Sequence, residues 1–347
     1  MSRVLVVTSS PAFAEGGHLV MARSLVSALQ QAGHDAALMV TPQNRFGRHT
    51  STYLASWLAD VQMACDGGPI DQVISLRFAS YAVRHPAHVC WLNHRLREYY
   101  DLWPRFFEPL SWQARIKERV RRRLIHAVDR HLLTRNVRRL FTLSRTVQAR
   151  LEQFGRIPSE VLYPPPPPRA YRCEDYGDYI LAVSRLTPLK RLDLLLRAVA
   201  RPEAREARVV VIGDGDQAGI LHELAAELGL GDRVRFEGAV NAEQLTAHLA
   251  RCRAVCFPPF NEDYGFVTVE AFASRKPVIT CTDSGGPTEL VRDGVEGLVS
   301  APAPEAIANS IAALMADRGL AERMGEAGYR VAAGMTWERA VRALLLV

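Results

Sequence analysis

The chain has 347 residues, 48% of them hydrophobic and 23% charged, a balance that excludes intrinsic disorder and suits two globular domains of ordinary size. The formal net charge of +6 is unevenly placed: residues 115–139 hold ten Lys/Arg against Glu118 and Asp129, so the remainder is slightly acidic and the protein is not basic throughout. Six scattered cysteines without a CxxC pair argue against a disulfide framework or a cysteine metal site and favour a reducing cytoplasm.

Residues 1–8 read as a short apolar strand, too brief for the apolar region of a leader, and no apolar run approaches a membrane span. A loop over 9–17 and a helix with Leu19, Ala22, Leu25, Val26 and Leu29 at helical spacing follow, and Gly33 ends that helix before a strand at 35–41. This is a βαβ unit whose first loop lacks GxGxxG, which removes the dinucleotide fingerprint. Gly16 and Gly17 in that loop either let backbone approach a phosphate or merely form a turn. Further strands are expected at 72–76, 88–92 and 139–143. Between the last two, Trp112, Ile116, Val120, Leu124, Val128 and Leu132 recur every four residues among arginines. That spacing predicts an amphipathic helix with a basic face, which either is simply solvated while the helix packs on the sheet or also meets an anionic membrane surface or a phosphorylated acceptor.

Five prolines at 164–168 force an extended, stiff spacer. Beyond it, strands at 179–184, 208–212, 233–236, 254–257, 277–281 and 296–299 alternate with helical segments, the pattern of a parallel sheet covered on both faces. The expected fold is therefore α/β, two doubly wound Rossmann-like domains facing across a cleft: a first over 1–162, a linker over 163–174, a second over 175–328, and a C-terminal helix over 329–347 that could cross back. Ligands belong at the carboxyl ends of the strands.

The loops at those ends carry groups that suit a nucleoside diphosphate. Arg185 and Lys190 follow the first strand of the second half, one a planar fork and one a point charge. Gly213 and Gly215 follow the second strand. After the fourth comes Asn261-Glu-Asp-Tyr-Gly-Phe-Val-Thr-Val-Glu270, where Glu262 and Glu270 bracket a glycine turn into a helix whose first N–H groups suit an anion. Each loop alone is only a turn; their succession along one sheet makes a single site. Tyr99, Tyr100 and Trp103 are either an acceptor platform or an ordinary aromatic cluster.

The series Ser184-Arg-Leu-x3-Lys190, Gly213-Asp-Gly215, Phe236-Glu-Gly238, Asn261-Glu-x7-Glu270, Asp283-Ser-Gly-Gly-Pro-Thr-Glu289 and Gly294-x2-Gly297 resembles the donor domain of glycosyltransferase family 4, which has the GT-B fold. The resemblance is strong over roughly residues 179 to 340 and looser in the first half. It implies a hexosyltransferase-class enzyme, working in retaining fashion without a bound metal or other cofactor. The sugar would pass from a nucleotide-diphosphate sugar to a glycan or lipid-linked acceptor, in surface polysaccharide or glycolipid assembly.

By position, Arg185 and Lys190 would bind the diphosphate and stabilise the departing nucleotide. Glu262 would hydrogen-bond sugar hydroxyls and Glu270 the ribose hydroxyls. The backbone at Gly265, Phe266 and Val267 would cradle phosphate, and Gly17 would approach it from the other domain. His94, at the end of a first-half strand, either contacts the donor sugar or steers the acceptor proton, or is structural. The cysteine usage points to the cytoplasm, and the basic residues 115–139 either attach the protein peripherally to the inner face of the membrane or are only solvated; no nucleic acid is expected as partner. The other reading is a non-catalytic protein that binds a nucleotide sugar or polyanion, although no motif residue is missing.

Overall fold

The structure, a computed structural model, describes residues 1–13, 16–43 and 47–346. It divides into two units, Met1–Pro164 with Thr336–Val347, and Pro165–Met335.

In the first unit, β1 (Arg3–Ser10), α1 (Gly17–Gln31), β2 (Asp35–Pro42), α2 (His49–Trp57), β3 (Gln72–Ser75), β4 (His88–Leu92), α3 (Trp103–Phe107), α4 (Trp112–His131), β5 (Arg139–Thr142), α5 (Arg145–Gln153) and β6 (Glu160–Val161) follow in chain order. All strand pairs are parallel, in the order β2-β1-β3-β4-β5-β6. The β1 run Val4-Leu-Val-Val7 is buried: β1 is a central strand paired with β2 along one edge and β3 along the other, helix α1 packs against it, and an all-apolar run suits such a covered strand.

Helix α4 reverses the orientation its spacing suggests. Its buried residues are Glu118, Ile125 and Asp129. Its apolar series faces out instead, with Trp112 69%, Ile116 54%, Val120 53%, Leu124 62% and Val128 40% exposed, and of that series Leu132 alone is buried. The cause lies in what the helix packs against. Tyr81 and Tyr100 donate their hydroxyls to the Asp129 carboxylate at 2.6 and 2.7 Å, and Tyr53 donates to it as well. Tyr99 donates to Glu118 at 2.8 Å, while its carbonyl accepts from Arg122 Nε and meets His126 Nε2, each at 2.8 Å. The wall under the helix is thus lined with polar groups that need acceptors, and burying them unpaired would cost about 1–3 kcal/mol each. Tyr99 and Tyr100 are fully occupied there and buried, so they form no acceptor platform.

The second unit comprises β7 (Tyr179–Val183), α6 (Leu192–Val199), β8 (Arg208–Ile212), α7 (Ala218–Glu227), β9 (Val234–Gly238), α8 (Ala242–Arg251), β10 (Ala254–Cys256), α9 (Phe266–Ala273), β11 (Val278–Cys281), α10 (Gly286–Leu290), β12 (Gly297–Ser300), α11 (Pro304–Ala316) and α12 (Arg318–Ala333). Its sheet is parallel in the order β12-β11-β10-β7-β8-β9. Leu192, Leu195, Leu196 and Val199 of α6 fill the core with Val209 and Val211 of β8, each contributing roughly 1.5–3 kcal/mol by burial. The chain order reverses direction between β7 and β10. That is the topological switch point, where the two neighbouring crossovers diverge and leave a crevice at the carboxyl ends.

Of the linker expected over 163–174, residues 165–174 belong to the second unit and lie against it. Arg169 and Tyr171 reach Glu270, the buried Lys276 donates to the Asp175 carbonyl, and Glu174 N donates to Ala250 O at 2.9 Å. The C-terminal segment is not one helix over 329–347. Helix α12 stops at Ala333, and Thr336 caps a separate helix, α13 (Trp337–Leu344), by accepting from Arg339 N at 3.2 Å. Helix α13 belongs to the first unit: it packs on α1, Trp337 meets Trp91 edge to face, and Gln72 donates to Leu344 O at 2.7 Å.

Candidate active site

The crevice residues of the second unit come from three loops that hold one another. After β7, a short helical turn (Pro188–Lys190) raises Lys190, whose Nζ donates to Glu262 Oε2 at 2.7 Å. Both side chains are more than four-fifths buried, and the ammonium also lies 5.3 Å from the centre of the Phe257 ring. Arg191 follows in left-handed backbone (φ 52) and throws its guanidinium across the crevice floor. It forks onto Asp283 at 2.8 and 2.6 Å and donates to the carbonyls of Pro258 and Pro259 at 2.8 and 2.7 Å. One side chain therefore ties the loops after β7, β10 and β11 together. Sequence reasoning passed over it beside Lys190.

The loop after β10 is fastened through its backbone. Asn261 N and Glu262 N donate to Asp283 O and Ser284 O at 2.9 and 2.8 Å, and Gly286 N returns a bond to Glu262 O at 2.9 Å. Gly265 adopts φ 81 at the start of α9, and a Cβ there would lie 2.6 Å from the Phe257 ring, so only glycine fits. Phe266 and Val267 open the helix behind it.

Gly213 and Gly215 have a local reason as well. Added Cβ atoms would fall 1.8 Å from Ser184 O and 2.3 Å from Leu186 O, so the loops after β7 and β8 pack backbone to backbone. Arg185 stands exposed between these features and makes no ion pair among the described residues. Ser184 Oγ, at the end of β7, is buried without a hydrogen-bond partner among them.

Glu270 lies one turn into α9 and is buried. Its Oε1 accepts from the Arg169 guanidinium and from the Tyr171 hydroxyl, the latter at 3.2 Å. Burial pushes the Glu270 carboxyl up from its ordinary value, and the charge of Arg169 and the Tyr171 bond pull it back. Burial, then the charge of Glu270, raises the Tyr171 phenol well above its usual range, which keeps it a donor. Arg169 and Tyr171 are not marked by the sequence pattern; the one available signal is an arginine directly after the proline run.

Gly16, Gly17 and His94 belong to the first unit. Gly16 O accepts from Leu19 N and Val20 N at 3.0 and 3.2 Å, so Gly16 ends the 9–17 loop as the cap of α1; Ala14 and Glu15 of that loop lie outside the described residues. His94 follows β4, with Nδ1 2.7 Å from Arg95 O.

A cavity of about 660 Å³ opens at the other end of the second sheet, lined by Arg208, Arg233, Arg235 and Arg251. Those cations are engaged by Asp178, Glu237, Glu174 and backbone carbonyls, and the cavity sits at the amino ends of the strands, away from the switch point.

With this geometry in place, comparison with known proteins is informative. Residues 171–331 match the model of the family Glycosyl transferases group 1. That match runs through nearly all of the second unit. Its similarity extends to the D-inositol 3-phosphate glycosyltransferases of Nocardia farcinica (37% identical over 180 residues, 49% of this chain and 40% of that protein) and Kribbella flavida (39% over 168 residues, 45% and 39%). The chain thus spans about two-fifths of the length of these curated relatives. Among solved structures, WaaG, a glycosyltransferase involved in lipopolysaccharide biosynthesis, aligns over 99% of this chain and 100% of its own with a TM-score of 0.72 at 17% identity. Anabaena Alr3699/HepE in complex with UDP and glucose aligns over 98% of both chains with a TM-score of 0.68 at 18% identity. At such identities the likeness speaks for fold, and the fold is GT-B, with two parallel-sheet Rossmann-like units.

Proposed function

We propose that the protein transfers a hexose from a nucleotide-diphosphate sugar to a glycan or lipid-linked acceptor with retention of anomeric configuration. The observation that carries this is the Lys190–Glu262 pair, hydrogen-bonded at 2.7 Å at the β7/β10 switch point inside the matched segment. A cation and a carboxylate fixed at that point are what a diphosphate and a sugar would each need. In the reaction the sugar's anomeric C–O bond to the diphosphate breaks, the acceptor oxygen bonds to that carbon on the same face, and the acceptor proton leaves with the nucleotide. Charge grows on the departing diphosphate, and prearranged cations and N–H dipoles stabilise it most in the transition state.

On this reading Arg185 and Lys190 bear that charge in the role a divalent ion plays elsewhere, and no metal or other cofactor takes part. The backbone of Gly265, Phe266 and Val267 receives phosphate at the start of α9, and Gly213 and Gly215 let the neighbouring loops come close enough to line the donor. Glu262 binds sugar hydroxyls and Glu270 the ribose. Gly16, Gly17 and His94 serve the donor from the first unit. The UDP bound in the HepE structure makes a uridine nucleotide the first donor to try. The protein acts in the cytoplasm, in surface polysaccharide or glycolipid assembly, and residues 115–139 bring it to an anionic membrane face.

A panel of UDP-, GDP- and ADP-sugars, scored first by thermal shift and then for turnover, tests the proposal. One donor should raise the melting temperature and be consumed, and Glu262→Ala should abolish turnover while leaving the melt of the free protein within a few degrees. Normal turnover by that variant, or binding without transfer or hydrolysis of any donor, would sink it; the second result would point to a non-catalytic binder.

A further inference from the structure

One cluster of reactive side chains in the second unit serves neither the candidate site nor the proposed transfer. Lys276 lies in the turn between α9 and β11 and is fully buried, yet it makes no ion pair among the described residues. Its Nζ donates to Cys173 Sγ at 3.2 Å and to the Asp175 carbonyl, and lies 3.9 Å from the centre of the Tyr176 ring. Asp175 offers only that carbonyl, because its carboxylate pairs with Arg318 at 3.0 Å. Enclosing a cation away from water is costly unless an opposite charge meets it. The groups beside this one that can release a proton are Tyr176, Cys252 and Cys173. Burial pushes the Cys252 thiol up to about 12, and burial followed by the nearby Cys173 raises the Tyr176 phenol above its usual range, so both stay protonated. Cys252 and Tyr176 are buried, whereas Cys173 is only half-buried and open to small molecules from solvent.

We infer that Cys173 and Lys276 are a modification site, joined by a reversible covalent bridge through one oxygen atom when the protein meets hydrogen peroxide. A thiol beside a lysine and within reach of solvent is the kind that peroxide oxidises first. Here the amine that captures the oxidised sulfur is already in contact with it. In balance, the thiol and amine consume two molecules of peroxide and release three of water. The S–H bond and one N–H bond break, S–O and N–O bonds form to the one oxygen retained, and sulfur and nitrogen each give up two electrons. An oxygen set between the atoms spans more of their 3.2 Å separation than a direct S–N bond does, so the enclosed lysine has less far to move. The bridge joins positions 103 residues apart and pins the segment that carries Arg169 and Tyr171 to the turn after α9. It makes no use of a sugar donor, so it and the transfer reaction stand or fall separately.

The test is peptide mass mapping of the full chain after treatment with hydrogen peroxide, in a Cys65→Ser background that removes an exposed thiol. The expected product joins the peptides holding Cys173 and Lys276 at a mass about 14 Da above their sum, one oxygen gained and two hydrogens lost. Dithiothreitol should return the two free peptides, and neither Cys173→Ser nor Lys276→Met should form the product. The bridged protein should also melt several degrees higher, because the loop closed is long, and the rise should vanish in dithiothreitol and in Cys173→Ser. The serine variant alters only a half-buried position and keeps the lysine enclosed, so it decides the matter even where Lys276→Met folds poorly. Sulfinic or sulfonic acid at Cys173 beside an unmodified Lys276 overturns the inference, as does a Cys173–Cys252 disulfide or a pair left untouched by peroxide. A cross-link about 2 Da lighter than the sum also overturns it, by showing a direct S–N bond without the oxygen.

Discussion

Helices α4 and α9 each bury a carboxylate, yet they do so among different partners. Asp129 of α4 sits among three phenol hydroxyls, with Arg95 near enough to act on it only through its charge. Glu270 of α9 meets the guanidinium of Arg169 directly, beside the Tyr171 hydroxyl. The phenol cage engages both oxygens of Asp129 and fixes the rotation of a twenty-residue helix. The Arg169–Glu270 pair instead holds a carboxylate one turn behind the loop at the switch point, near the carboxyl end of the sheet, where the donor is proposed to bind. A buried acid can thus serve to aim a surface or to furnish a site, and the identity of its donors separates the two.

The comparison breaks most readily at Asp129. Replacing it by alanine leaves three buried phenols without an acceptor, and the first unit should lose about 3–5 kcal/mol. Asp129→Asn keeps the shape but presents one oxygen where three donors need two, and should cost less. Urea unfolding followed by hydrogen exchange in β3 and β4 measures both. If Asp129→Ala melts like the parent, the cage does not set the orientation of α4.

These contrasts also mark what could be read from residues alone. The second unit was legible almost element by element, because its strands are apolar runs separated by helices of ordinary length, and Lys190, Glu262 and Gly265 fall at strand ends where chemistry belongs. The facing of α4 was not. Its apolar spacing is that of any packed helix, and nothing in the local sequence announces that Tyr53, Tyr81, Tyr99 and Tyr100, brought in from distant segments, would demand acceptors beneath it. Arg169 and Tyr171 were hidden for a related reason: five prolines predict a stiff spacer, but not which surface the chain beyond them will lie against. Arg191 shows the same limit on a smaller scale, since only the assembled loops reveal that its fork spans three of them.

Acidification should widen the difference between the units. His88 of β4 is buried, with Nε2 2.8 Å from Ser75 Oγ and Nδ1 3.1 Å from the Asn136 carbonyl. Burial lowers it to about 4, partly offset by the Asn136 bond. A depressed histidine stays neutral in the fold while the unfolded chain takes up a proton near pH 6.5, so its contribution is complete above that pH and is lost between 6.5 and 4. The loss reaches on the order of 3 kcal/mol at the lower end. Glu270 works the other way, as does Asp129 in the first unit, because a carboxyl raised by burial binds its proton in the fold before the unfolded chain does, so the difference between the units rests on His88. Hydrogen exchange at stepped pH should therefore show β3 and β4 opening before β7 and β10, and His88→Gln should flatten that dependence. Equal acid sensitivity of the two units would remove His88 as the cause.

A smaller effect tests what the Arg169–Glu270 contact is for. Arg169→Met leaves a buried carboxylate with Tyr171 alone, and because the arginine is partly exposed the cost to stability should be about 2 kcal/mol, below that of a fully enclosed pair. A contact that only braces the fold would end there. If Arg169 positions Glu270 for the ribose, removing it lets burial raise the Glu270 carboxyl further, so nucleotide binding at neutral pH should weaken roughly tenfold, about 1.4 kcal/mol, and recover as the pH is raised. Tyr171→Phe should give a milder form of the same profile. Calorimetric titration with UDP from pH 6 to 9 separates the two cases, because lost bracing weakens binding equally across the range, whereas a displaced titration slopes upward with pH.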